Sequence, residues 1–397
     1  MITVHSETGQ GKHVLVLPYP SHGHVTPTLA VARELVRRGH RVTYAVTPEM
    51  AERVSGIGAS VVSYGSPLMS STKPPKSWTQ DALGRAFVQY MSEIIGTTSV
   101  IEREFDADRP DLIAYDSTVW APGRVLGRKW GLPTLQLLPV FASNDAFSLM
   151  KAQAEGADHP ELSEDHPAVR GFRDEMVEFL AGHGIGHDDA AALTAGENER
   201  SLVFVPRPFQ PHGDSFGDDH AFVGPCLDTD PAGAGWHPPD GGRPVIFVSL
   251  GTVVNDEPSF FRACAEAFAD LPYHVVLAVG DALSDEELTT FPPNFEVHRW
   301  IPYPAVLRHA MVFVSQAGMG SIMQAGCYAT PLVVIPFQPE QRVNASRLVE
   351  LGLGRRIDPA AVTGRLLREA VLAVANDADI RAGMARMSAS LATARTA

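Results

Sequence analysis

The sequence predicts an α/β protein built from two doubly wound parallel sheets, one in each half of the chain. Three observations carry this. Short, continuous apolar runs alternate with helix-compatible stretches, which is the pattern of parallel strands covered on both faces. The alternation breaks between Pro225 and Pro244, in PCLDTDPAGAGWHPPDGGRP, where Gly and Pro concentrate, and it restarts afterwards. The chain has 397 residues, 45% of them hydrophobic, enough for two buried cores. The expected organisation is a first domain over 1–225, a linker over 226–243 and a second domain over 244–397 that ends in a short helix.

The first apolar run, Val14-Leu15-Val16-Leu17, leads through the loop PYPSHGHV into a stretch with Leu29, Ala32, Leu35 and Val36 on one face. This reads as strand, loop, helix. Thr26 is the expected cap of that helix, Pro27 suits its first turn, and Gly39 suits the left-handed position that ends it. A strand at 41–46 follows, then strands at 112–115 and 134–138 separated by a helix over 121–130. After the linker come strands at 245–249, 274–279, 295–298, 312–314 and 332–335, with a helix from about 259 to 268. Ligands of open parallel sheets bind beyond the carboxyl ends of the strands. With two such domains, the expected site is the cleft on which they face each other.

Composition excludes several classes of function. Lys and Arg number 32 against 46 Asp and Glu, a net charge of −14 that repels nucleic acid and anionic membrane surfaces. The three cysteines, Cys226, Cys264 and Cys327, form neither a CxxC pair nor a disulfide framework. No apolar stretch is long enough to span a bilayer, and the polar opening MITVHSETGQGK has no signal-peptide core. A cytoplasmic protein, monomer or homodimer, is expected. Asp-x-Asp segments at 106–108, 228–230 and 377–379 raise the metal site of a metal-dependent sugar transferase. Aspartate is abundant, however, and the middle copy falls in the linker, so solvated carboxylates and no metal are expected.

Two places carry chemistry. Ser21-His22-Gly23-His24 follows the first strand at the carboxyl edge of its sheet. These histidines are either solvated loop side chains or include a general base, while a metal site lacks further ligands at suitable spacing. Asp116 ends another parallel strand and should emerge on the same edge, where it would fix an imidazole tautomer or cap the next helix. In the second half, 312–321 is a strand running into a glycine loop that opens a helix. That junction offers amides and a helix dipole to a phosphate, although such turns also serve tight packing alone. The dinucleotide fingerprint GxGxxG is not matched at either half's first loop.

Taken together, HVLVLPYPSHGHVTPTLAVARELVRRGHRVTYAV, SLVFVPRPFQPHGDSF with FVGPC, SLGT at 249–252, and RWIPYPAVLRHA…AGMGSIMQAG…TPLVVIP…EQRVNASRLVELGLG resemble the bacterial macrolide glycosyltransferases. These belong to a nucleotide-sugar-dependent family that includes plant and animal glucosyl- and glucuronosyltransferases. The resemblance runs from about residue 12 to 385. It implies the GT-B architecture of two Rossmann-like domains, with the acceptor bound by the first and the sugar nucleotide by the second. It further implies an inverting, metal-independent hexosyl transfer from a UDP- or dTDP-sugar, a co-substrate rather than a cofactor, to a hydroxyl of a bulky apolar acceptor. In this scheme His24 is the catalytic base and Asp116 its support. Ser249, Gly251, Thr252, Trp300, Ile301 and Tyr303 belong to the donor site, with Trp300 stacking on the base unless it is a core aromatic. Gln316, Gly318, Gly320, Ser321 and Gln324 surround the diphosphate and ribose, and Glu340 and Gln341 bind sugar hydroxyls. Three positions depart from the family pattern: Tyr303 replaces a Gln, Gln316 a His and Gln324 a Glu. The family's last helix crosses back over the first domain, whereas this chain stops at ATARTA. Two rivals remain. A sugar-nucleotide epimerase on the same plan gives no reason for an acceptor-side His–Asp pair, and an idle, auxiliary relative is motivated by the three departures.

Overall fold

In the computed structural model, residues 11–66, 79–155, 162–196, 199–227, 236–239, 241–251 and 257–394 are described. The first apolar run forms β1 (His13–Leu17), every residue buried, and the chain continues into α1 (His22–Arg37) and β2 (Arg41–Val46). Then come α2 (Pro48–Ser55), β3 (Ser60–Ser63), α3 (Gln80–Phe105), β4 (Leu112–Asp116), α4 (Trp120–Trp130) and β5 (Thr134–Leu138). Helices α5 (Leu149–Glu155), α6 (Pro167–Gly182) and α7 (His187–Ala195) precede β6 (Ser201–Val203) and β7 (His220–Phe222). The sheet order is β3-β2-β1-β4-β5-β6-β7. The pairings from β3 through β6 are parallel, with Val16 between Tyr44 and Ala114.

The second sheet is built alike. It comprises β8 (Val245–Ser249), β9 (His274–Ala278), β10 (Phe295–His298), β11 (Ala310–Ser315), β12 (Leu332–Val334) and β13 (Gly354–Arg356), all parallel, in the order β10-β9-β8-β11-β12-β13. Its helices are α8 (Pro258–Phe268), α9 (Asp285–Leu288), α10 (Tyr303–Leu307), α11 (Met319–Cys327), α12 (Pro339–Glu350), α13 (Gly364–Asn376) and α14 (Ala378–Ala394). The apolar runs are continuous because both sheet faces are covered. On one face Ile246, Val248, Val275, Leu277, Val312 and Val314 meet Phe260, Phe261 and Phe268 of α8 and Leu367 and Val371 of α13. On the other, Phe247 and Phe313 stack with ring centroids 4.7 Å apart.

The chain divides into two units, neither continuous in sequence. One is Met1–Leu138, Asp158–Val203 and Gly217–Ala221; the other is Pro139–Ala157, Phe204–Phe216 and Phe222–Ala397. Within the second unit, Arg347 of α12 holds the 204–216 segment by donating to the carbonyls of Pro208 (2.9 Å), Phe209 (2.9 Å) and Gln210 (3.4 Å). Gln210 is fully buried and exchanges two hydrogen bonds with the Ala142 backbone. No helix among the described residues is long and apolar enough to cross a membrane.

One local expectation is corrected. Helix α1 begins at His22, not after Thr26, with Ser21 in the extended N-cap conformation and Pro27 inside the helix. The amides of His24 and Val25 already turn back onto the Ser21 carbonyl, at 3.1 and 2.9 Å. Pro27 merely withholds one donor from the turn it follows. Both histidines therefore sit on the first turn of a helix and not in a loop. The end of that helix is as expected, with Gly39 at φ +86°.

Candidate active site

In both sheets, strand order reverses between the first strand and the strand after the next crossover, β1/β4 in one and β8/β11 in the other. Such switch points are where crossover connections part and leave a crevice at the strands' carboxyl ends. Of the residues singled out from sequence, His22, His24 and Asp116 fall at the first, and Ser249, Gly251, Gln316, Gly318, Gly320 and Ser321 at the second.

At the first switch point, β1 delivers His22 and His24 on the opening turn of α1, and β4 delivers Asp116. His24 Nδ1 lies 2.7 Å from Asp116 Oδ2. Asp116 is 1% exposed, and its other oxygen accepts the Thr118 amide at 2.8 Å, so it caps the 3₁₀ turn over 117–119 as well. One oxygen meets the imidazole and the other caps the turn, so the two contacts do not compete for the carboxylate. The tautomer that donates from Nδ1 makes Nε2 the basic nitrogen of His24. Tyr19 packs edge-on against the imidazole at 5.0 Å, and burial together with the nearby Glu93 and Asp116 carboxylates raises its phenol pKa. His22 differs, because burial and the Arg53 cation lower its pKa.

At the second switch point, β8 ends in the turn Ser249-Leu250-Gly251 and β11 ends in Ser315-Gln316-Ala317-Gly318, which opens α11. Ser321 and Ile322 turn their amides onto the Gly318 carbonyl at 3.0 and 3.1 Å. This leaves the Met319 and Gly320 amides at the head of the helix without an intrahelical partner. A side chain built on Gly320 would meet nothing within 4 Å. Gln316 is 6% exposed, and its Oε1 has no partner among the described residues. Ser249 Oγ accepts from the Gly251 amide at 3.2 Å and from the Tyr303 hydroxyl at 2.6 Å. Gln324 is half-buried one turn beyond Ser321.

Trp300, just after β10, is 62% exposed, whereas its neighbour Ile301 is 4% exposed and sits in the core. An exposed indole excludes the core-aromatic reading. Gln341 Oε1 accepts the amides of Phe337 and Gln338 at 2.9 and 3.0 Å, capping α12, and Glu340 Oε1 accepts from Asn344 at 3.0 Å. Thr252 lies outside the described residues. Sequence reasoning missed Asn344, which is fully buried and donates to the Ala317 carbonyl at 3.0 Å. It thereby supports a loop whose Ala317 is at φ +67°, an uncommon conformation for a residue with a side chain. Asn344 lies inside the EQRVNASRL block but carries no spacing signal of its own.

The acidic segments serve local structure. Asp106 pairs with Arg109, Asp108 with Arg41, and Asp377 accepts the first amides of α14. The copy at 228–230 lies outside the described residues. Among the described residues no group of three His, Cys, Asp or Glu side chains comes together as a metal site.

The family model described as UDP-glucoronosyl and UDP-glucosyl transferase matches residues 200–391. The demethyllactenocin mycarosyltransferase of Streptomyces fradiae is 35% identical over 384 residues, which span 94% of this chain and 82% of that protein. The oleandomycin glycosyltransferase of Streptomyces antibioticus is 35% identical over 385 residues, 96% of this chain and 87% of that protein. Among solved structures, the calicheamicin glycosyltransferase CalG4 aligns with a TM-score of 0.84 at 35% identity, covering 98% of this chain and 95% of its own. The glycotransferase of kitacinnamycin aligns at 0.85 with 34% identity, over 98% and 96%. With two parallel-sheet domains on the GT-B plan and relatives matched over nearly its whole length, the chain belongs to the UDP-glucuronosyl and UDP-glucosyl transferase family and is a glycosyltransferase.

Proposed function

We propose that this enzyme moves a hexose from a UDP- or dTDP-sugar to a hydroxyl of a bulky apolar acceptor, a macrolide or other polyketide, with inversion at the anomeric carbon. The observation that carries the reading is the 2.7 Å contact between His24 Nδ1 and a buried carboxylate. A hydroxyl is far too weak an acid to ionise at neutral pH, so its attack needs a base in place. His24 Nε2 takes the proton as the acceptor oxygen bonds to the anomeric carbon and the bond from that carbon to the diphosphate oxygen breaks. Asp116 holds the imidazole and offsets the charge it gains, the division of labour of a Ser-His-Asp triad.

The departing diphosphate gains negative charge in this step. The Met319 and Gly320 amides, the Ser321 hydroxyl and the α11 dipole offer it donors already in place, so neither a cofactor nor a metal is required by the scheme. Trp300 supplies a face for the base, and Glu340 and Gln341 supply acceptor and donor groups for sugar hydroxyls. Relatives named for mycarosyl transfer to demethyllactenocin and for oleandomycin support the acceptor class. The absence of a described membrane helix fits work in the cytoplasm. The test is a mass-spectrometric screen of UDP- and dTDP-sugars against macrolide, other polyketide and flavonoid acceptors. A glycoside formed with a polyketide and abolished in His24→Ala is expected. Product confined to hydrolysed or epimerised sugar overturns the proposal.

A further inference from the structure

We infer that Tyr303 is a positioning residue that sets the diphosphate cradle through its hydroxyl, without touching the ligand. The inference rests on the donor-site reading above and adds a role for a side chain that reading leaves without one. Tyr303 opens α10 three residues after Trp300. Its ring is held edge-on by Phe247 at 5.0 Å and Phe313 at 5.5 Å, two rings that stack on each other between β8 and β11. Fixed in this way, the phenol points along the sheet to where both strands end.

Its oxygen is tied to the end of β8. The hydroxyl donates to Ser249 Oγ at 2.6 Å, and the same Oγ accepts the Gly251 amide at 3.2 Å. Ser249 and Gly251 form the turn after β8, so one phenol fixes α10 to the β8 side of the switch point. The turn is held tightly from the far side as well. Gly251 is at φ +80°, and a Cβ added there would lie 2.5 Å from Gln316 Nε2. Gln316 is neutral and gives a phosphate at most one uncharged hydrogen bond from each amide hydrogen, so its contribution depends on placement. By fixing the turn that lies against Gln316, Tyr303 sets the spacing of the donors a diphosphate would meet. Residues that lock donors in this way raise affinity by removing the cost of ordering them on binding.

The test separates the diphosphate from the nucleoside. Tyr303→Phe keeps the ring contacts and removes only the hydroxyl. Calorimetric titration of the parent and variant with UDP, uridine, dTDP and thymidine should show the diphosphates weakened about 3- to 10-fold, the range one neutral hydrogen bond supplies, and the nucleosides changed by less than about twofold. Because the hydroxyl acts through Ser249, adding Tyr303→Phe to Ser249→Ala should cost no more than Ser249→Ala alone. Equal weakening of nucleoside and diphosphate, no weakening of either, or losses that multiply in the double variant would overturn the role. If Tyr303→Phe does not fold, Ser249→Ala carries the same test, with the same selective loss expected and uniform loss overturning it. A parent that binds neither UDP nor dTDP overturns the donor-site reading and this inference with it. A parent that binds them while the variant matches it overturns only the role of Tyr303.

Discussion

Replacing Asp116 by Asn tests the His24–Asp116 pair most severely, because the carboxylate has two different bonds to keep and an amide has one oxygen. Oδ1 accepts the Thr118 amide at 2.8 Å and Oδ2 meets His24 Nδ1 at 2.7 Å. If the amide oxygen stays with Thr118, its NH₂ faces Nδ1, which must then accept; the proton shifts to Nε2 and the ring cannot take another from the acceptor. If the oxygen turns to His24, two donors oppose each other at Thr118 in a site only 1% exposed. The lost charge-assisted bond amounts to about 1.5–3 kcal/mol, roughly 10- to 150-fold in rate, and the wrong tautomer extends the loss toward about 10⁴, as in Ser-His-Asp enzymes. The expected outcome is a turnover lower by about 10²–10⁴ with the donor KM little changed. Initial rates of glycoside formation, read by liquid chromatography and mass spectrometry alongside a thermal melt, decide it. A variant that melts earlier yet turns over within about threefold of the parent would show that Asp116 is a cap and nothing more.

His24→Ala should lower turnover by about 10²–10⁴ while sparing nucleotide affinity, and His22→Ala should cost far less, since only His24 meets the carboxylate; equal losses in a rate assay would leave the base unassigned. Trp300→Ala should weaken nucleoside binding by about 1–3 kcal/mol in a titration, with the melting temperature unmoved because the indole is 62% exposed; a lower melting temperature with full binding would contradict the stacking role. Gln316→His should tighten nucleoside diphosphate binding, more so below about pH 6.5 where the new imidazole is charged and gives a stronger bond. Affinities that match the parent across that range would mean the side chain does not face the phosphates. Arg347→Met should lower the denaturant midpoint of the second unit by an amount equivalent to about 2–4 kcal/mol, as three backbone carbonyls lose a charged donor; an unchanged midpoint would show that water replaces the guanidinium at no cost.

The strands were readable because burial on both faces demands unbroken apolar runs, and β8, whose five residues are all buried, is the plainest case. The His24–Asp116 pair, 92 residues apart, was reachable because parallel strands present their carboxyl ends on one edge. Local signals misled where a stronger feature lay beside them. Thr26-Pro27 looks like a helix start, yet Ser21 had already begun the helix. Helix α3 was not anticipated because Gly84, Glu93, Thr97 and Thr98 face inward, breaking the apolar stripe by which a helix is recognised. The hydroxyl bond from Tyr303 to Ser249, and the support Asn344 gives Ala317, join residues far apart in sequence and leave no spacing to detect.

The interleaving of the two units along the chain bears on how such enzymes are recombined. A single crossover at the Pro/Gly stretch would hand residues 139–157 and 204–216 to the wrong parent, although they belong with the second unit. The Arg347 guanidinium would then meet carbonyls drawn from a different sequence, while Gln210 and its Ala142 backbone would arrive together from that foreign parent. A chimera that exchanges the second unit should therefore carry both insertions with it as one cassette of three pieces. Libraries cut at the linker alone will enrich for parents whose RPFQP segments already match, and that bias will look like a preference among second units.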